Sequence, residues 1–184
     1  MEIACPTDCV WLASARDHPA AVVVRQQQRD LGLLVQFMRD FNRRQSQLFF
    51  LFNSFINEYQ PEQLHALNDA DVADAVDALA ATYETAARGV IYEHRPQSLT
   101  AERLVLPMKP LLAEAGKGQG TPFERDAAVV LRSVGAAARE VAKQIPANPR
   151  AYVELLRRVM RSKQEPGRDA GASLIEGPKS KFTV

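Results

Sequence analysis

The chain has 184 residues, of which 46% are hydrophobic and 24% charged, and its formal net charge is +1. That length suits one domain with tails, the composition is globular rather than disordered, and the near-neutral charge excludes the basic excess of a dedicated nucleic-acid binder. No run of about 18 apolar residues predicts a membrane span, the start Met-Glu-Ile-Ala-Cys-Pro lacks the basic region of a secretory signal, and two cysteines fit a reducing, cytoplasmic setting.

Residues 1–18 predict an irregular leader that holds Cys5, Cys9, Trp11 and His18. Thiolates and an imidazole are ligands suited to zinc or an iron–sulfur group. The Cys5-Pro-Thr-Asp-Cys9 spacing is wider than a zinc knuckle and no fourth ligand is evident, so a second chain would have to complete the shell. A disulfide or two plain thiols are the alternatives.

Pro19 suits the first turn of a helix, and from there to Tyr59 the only further breaker is Gly32. The pattern predicts one continuous helix over 19–59, ~60 Å long, and so extended a rod needs a partner along its side. Counting heptads from Val24 gives an a series of Val24, Leu31, Met38, Gln45, Phe52 and Tyr59, and a d series of Gln27, Leu34, Phe41, Leu48 and Phe55. That is a sustained coiled-coil-like seam. The outer b, c and f positions are mostly polar, Asn53 and Asn57 among them. Val35, Phe37, Phe49, Leu51 and Ile56 flank the seam and widen it to suit a bundle of three or four helices.

The expected oligomer interface is therefore Leu31, Leu34, Met38, Phe41, Gln45, Leu48, Phe52 and Phe55. Gln45 either fixes register between copies, as a buried amide does, or is a partly exposed side chain. Phe49, Phe50 and Leu51 complete a turn that is apolar on every side. Such a turn is buried in the protein's own assembly, or faces a partner, a lipid or a lipophilic ligand.

Pro61 ends the long helix. Asp69 or Asp71 is expected to cap a second helix reaching about His94, with early acids and late Arg88, His94 and Arg95 matched to its dipole. Five acids and no base lie between Asp69 and Glu84, whereas eight bases face four acids from Arg150 onward. These stretches are solvated faces, or an acidic and a basic patch that meet across a subunit contact. Ser98 is placed to cap a third helix to about Ala115, which Pro107 and Pro110 should kink or split.

Gly116 to Gly120 reads as a loop; it lacks the hydroxyl residue and the preceding strand of a phosphate-binding loop. Thr121-Pro122-Phe123-Glu124 starts a fourth helix to about Ile145, and Gly135-Ala136-Ala137-Ala138 permits close helix contact. Asn148-Pro149 starts a last helix to about Lys163. Residues 164–184 are read as a disordered tail, in which Leu174, Ile175, Phe182 and Val184 form two apolar islands suited to docking.

Glu62-x-x-His65 is half of a di-iron carboxylate pattern without a second copy, and Glu84, Glu93, His94 and Arg95 have no acid–base spacing. The expectation is an all-α bundle of about five helices over 19–163, with one very long N-terminal helix. It would serve as a non-enzymatic, homo-oligomeric scaffold or accessory subunit that docks partner proteins, with peripheral membrane contact as a further option. The alternatives are a carrier for a lipid or quinone beside Leu48–Phe52, and a Cys/His metal-binding redox accessory protein.

Overall fold

The computed structural model describes residues 10–60, 66–118 and 121–161, without the side chains of 10–20, 121 and 161. Among the described residues the fold is all helical. In chain order α1 spans Val10–Gln36, α2 Arg43–Glu58, α3 Asp69–Ala86, α4 Leu99–Ala115, α5 Thr121–Gln144 and α6 Ala151–Arg161. The pair α3–α5 is the most extensive, α5 also packs on α2 and α6, α4 lies on α3, and α1 joins the body chiefly through α6.

The expected rod over 19–59 is two helices. α1 begins at Val10, inside the stretch expected to be an irregular leader, and ends at Gln36. Pro19 falls within it, where a missing donor costs about 3 kcal/mol that the flanking turns must carry. Its last turn tightens into i→i−3 bonds from Phe37 N–H to Leu34 (3.1 Å) and Met38 N–H to Val35 (3.0 Å), and Ser133 of α5 donates to the freed Phe37 carbonyl at 2.8 Å.

Asn42 then starts α2. Its side chain accepts from Gln45 N–H (2.9 Å) while Gln45 Oε1 accepts from Asn42 N–H (3.0 Å), a reciprocal capping box. No proline or glycine forces the break. The cap and the partial burial of Phe37, Met38 and Phe41 against the core offset the helical bonds lost.

The break resets the buried face. In α2 it is Leu48, Phe49, Phe52, Asn53 and Ile56: Leu48 and Phe52 keep their d and a places, whereas Phe49, Asn53 and Ile56 replace Gln45, Phe55 and Tyr59. Phe49, Phe52 and Ile56 are essentially inaccessible, and full burial of each is worth about 1.5–3 kcal/mol against an exposed reference. Asn53, expected on the polar side, is completely buried. Its amide donates to the Phe49 carbonyl at 2.8 Å and its oxygen accepts from the Tyr152 hydroxyl of α6. This polar pair ties α2 to α6 through the core, where each partner left alone would be costly.

α3 starts close to where it was expected, but its cap is Asn68 rather than Asp69 or Asp71: the Asn68 side chain accepts from Asp71 N–H, and Asp71 completes the box from the third helical position. It ends at Ala86 and not near His94, because Gly89 adopts φ +81°. Gly89 N–H bonds to the Ala86 carbonyl (2.8 Å) and Val90 N–H to that of Thr85 (3.0 Å), a Schellman closure that only a residue tolerant of the left-handed region completes cheaply. The chain then returns along α3, where Asp74 accepts from the backbone of Gln97 and Ser98, both at 2.8 Å.

Ser98 caps α4, its hydroxyl accepting from Ala101 N–H at 3.0 Å. α4 is one helix despite Pro107 and Pro110. Both prolines are exposed, so the carbonyls they leave without a helical donor sit on the solvent side.

The small-residue patch of α5 meets its expectation: Gly135, Ala137 and Ala138 are buried, and a Cβ on Gly135 would lie 3.1–3.2 Å from Asp77 and Val76 of α3. α6 is capped from a distance. Asp69, 2% exposed at the start of α3, accepts from Tyr152 N–H (2.9 Å) and Val153 N–H (3.2 Å) in the first turn of α6. Burial pushes its carboxyl above the usual value, against the pull of these donors.

Candidate functional site

The residues expected at an oligomer interface divide into four sets. Leu34, Leu48 and Phe52 are buried in the chain's own core, and Met38, Phe41 and Phe55 are half-buried against it. Leu31 is exposed. Gln45 has its amide satisfied inside the subunit: Nε2 donates to Asp126 of α5 at 2.8 Å, and Oε1 serves the α2 cap. The register role between copies is replaced by a bond from α2 to α5.

The turn that is apolar all round is likewise closed within the chain. Phe49 is inaccessible and meets Phe41 and Phe50 edge-on at 5.8 and 6.3 Å, while Phe50 and Leu51 are half-buried. A shallow cleft of about 460 Å³ lies over Leu48 and Leu51, walled by Arg44, Gln47, Ala115 and Phe123. A larger one of about 630 Å³ opens at the C-terminal end of α2, lined by Phe55, Glu58, Tyr59, Gln60, Arg103, Leu106 and Pro107.

The acidic stretch of α3 is spent inside the subunit too. Asp69 caps α6, Asp71 accepts from Ser98, and Asp74 holds the returning loop. Asp77 and Glu84 face α5, where Arg132 grips Glu84 with two bonds (2.8 and 3.0 Å) and Asp77 with a third (3.2 Å), and Arg139 also pairs with Asp77. The Arg132 guanidinium holds the Glu84 carboxyl below its usual range. Glu93 pairs with Lys109 of α4, and the His94 ring leans on Tyr92 at 4.7 Å.

Cys5, Cys9 and the side chain of His18 lie outside the described residues, as do Glu62, His65 and the tail residues Leu174, Ile175, Phe182 and Val184. Among the described residues no three His, Cys, Asp or Glu side chains form a metal-binding group.

What remains open to the outside is α1. Residues 21–25 are all exposed, and Val24 (49%), Leu31 (43%) and Val35 (49%) stand on one side of the helix. The other side carries Asp30, Leu33 and Leu34; Asp30 is buried, accepting from Arg158 of α6 at 2.7 Å and from Gln26 at 2.8 Å. With Gln28, the outer residues follow a 4-3-4 spacing, that of an apolar seam. The heptad count included Val24 and Leu31 but assigned them to the same face as Leu34, because it treated one wide stripe where α1 has two.

Sequence reasoning missed a second surface. Glu84, Ala87 and Arg88 of the α3 end face Arg125, Ala128, Val129 and Arg132 of α5 across a cleft of about 690 Å³. Directly after it, Val90, Ile91 and Tyr92 are exposed. Arg88-Gly89 was the available signal, since a glycine after a basic helix end is a common stop. Set against known protein families, curated proteins and solved structures, the chain matches none.

Proposed function

We propose that this chain is a non-enzymatic helical scaffold or accessory subunit that self-associates through the outer side of α1. The observation that carries the reading is the exposed row of Val24, Leu31 and Val35 on a helix whose opposite side already packs on α6. An apolar row at heptad spacing gains most from a second helix with the same spacing, and a second copy of α1 supplies one. Gln28 completes the seam, where its amide pairs with its own counterpart across a two-fold axis. The contact thus moves from the Leu48–Phe52 stretch, whose apolar surface the subunit uses for itself, to the first helix.

Native mass spectrometry and light scattering test this directly. The wild type should be a homo-oligomer, and the double variant Leu31→Glu/Val35→Glu should be a monomer of unchanged helical content. A wild-type monomer at high concentration refutes the proposal.

A second reading, a carrier for a lipophilic small molecule, draws support from the cleft at Phe55, Tyr59, Leu106 and Pro107. Its volume of about 630 Å³ lies in the range of ligand pockets. A lipophile recovered from the purified protein by solvent extraction, and lost in Leu106→Asp, is the expected result. Repeated empty extracts count against it.

A further inference from the structure

The end of α3 presents an apolar tip beside cations that outnumber the carboxylates free to pair with them, a feature with no part in self-association through α1. Gly89 turns the chain sharply, and the next three side chains, Val90, Ile91 and Tyr92, project outward, Ile91 completely so. Adjacent residues of this size exposed together at a loop tip lose free energy in water, and here Ile91 has no cover while the His94 ring shields only one side of Tyr92.

The charges around the tip are lopsided. Glu93 is neutralised by Lys109, and Glu84 and Asp77 by Arg132. Arg88 and Arg125, which share the cleft with Arg132, and Arg95 beyond the tip have no carboxylate within ion-pair distance among the described residues. Glu84 also attracts Arg88 and Glu93 also attracts Arg95, but each of these carboxylates is already bonded to another cation, so the apolar loop stands beside a surplus of guanidinium charge.

We propose that this end attaches the protein to an anionic lipid surface. Val90, Ile91 and Tyr92 enter the boundary between headgroups and acyl chains, and Arg88, Arg95 and Arg125 bond to lipid phosphates. The shape selects this occupant. A protein partner has to offer a matching pocket to a projecting isoleucine, whereas a fluid bilayer admits it without one. Tyrosine, with an apolar ring and a polar tip, suits the interfacial depth, and forked guanidinium groups suit phosphate. No helix of the described residues is long and apolar enough to cross a membrane, so the attachment is peripheral.

The full-length chain should sediment with phosphatidylcholine vesicles that contain phosphatidylserine, and stay in solution with phosphatidylcholine alone. Ile91→Asp should weaken binding at least about tenfold. Arg88→Ala and Arg125→Ala should each weaken it about fivefold, all with unchanged circular dichroism. Leu31→Glu/Val35→Glu should bind as the wild type does, which separates this surface from α1. Absence of sedimentation with anionic vesicles overturns the proposal, as does sedimentation that survives Ile91→Asp or that is equal for both vesicle types. Binding of inorganic phosphate at Arg88 and Arg125 without vesicle binding also overturns it, and marks the cleft as a site for free anions.

Discussion

Asp69→Ala probes how the two ends of the chain's core are joined. In the wild type the carboxylate of Asp69, at the start of α3, closes the first turn of α6 by accepting from Tyr152 N–H at 2.9 Å and Val153 N–H at 3.2 Å. Alanine leaves both donors unpaired in a place that is 2% exposed. An unsatisfied buried donor costs about 1–3 kcal/mol, and loss of a helix cap about 0.5–2 kcal/mol, two descriptions that overlap for the same groups. Removing a carboxylate that burial disfavours returns part of this. The expected loss is about 3 kcal/mol, or a Tm lower by roughly 10 °C for a chain of this size.

Urea and thermal unfolding followed by circular dichroism measure it. Asp69→Asn keeps an acceptor without the charge and should recover most of the loss. The raised carboxyl also sets a sign. A folded-state value above the ordinary one means that Asp69 destabilises once ionised, so its contribution improves as pH falls through the folded value toward 3.8. The asparagine variant should lack that component. A loss below about 0.5 kcal/mol in Asp69→Ala, the size of an ordinary surface change, refutes the remote cap.

Three further outcomes follow from the packing. Tyr152→Phe should cost about 1–3 kcal/mol in urea unfolding, since it strands the buried Asn53 oxygen, and Asn53→Leu together with Tyr152→Phe should cost less than the sum of the single changes. Gly116→Ala should lower stability by about 1–3 kcal/mol, because the new Cβ would lie 2.7 Å from the ring of buried Phe123; a neutral result would show that the ring yields. Glu84→Gln should flatten the acid limb of the stability–pH curve. The lowered carboxyl contributes stability above its unfolded value of 4.5 that is lost as pH falls through its folded value, and partial exposure limits the effect to under about 1 kcal/mol.

The cap at Ser98, the start of α5 at Thr121 and the close approach at Gly135 were legible because each rests on local chemistry that a few residues carry alone; the expected cap of α3 lies one to three residues late, since Asp69 and Asp71 are as good cap formers as Asn68. The break before Asn42 was not legible. Asn42-x-x-Gln45 is itself a capping-box pattern, but the heptad resumes in apolar residues on either side of Gln45, and periodicity does not register a change of helix axis. Once the axis changes, Asn53 rotates from an outer position to the centre, where Tyr152, far along the chain, makes its burial tolerable. Long-range partners were also what hid the use of the acids: Asp69, Asp77 and Glu84 pair with α6 and α5, and no local pattern states that. The apolar tip was concealed by running a helix through Gly89.

The way α1 is fastened has a mechanical consequence. Its junction with α6 centres on the buried Asp30, gripped by Arg158, whereas the helix starts at Val10. Residues 21–25, ahead of Asp30, are exposed, and at a rise of about 1.5 Å per residue the stretch from Ala21 to Asp30 makes a lever of roughly 15 Å. Load placed on that lever is delivered as torque to the carboxylate–guanidinium latch, the buried Leu34 beside it and the short turn behind them. The stiffness with which α1 is held to the body is therefore set at that fulcrum and not along the lever.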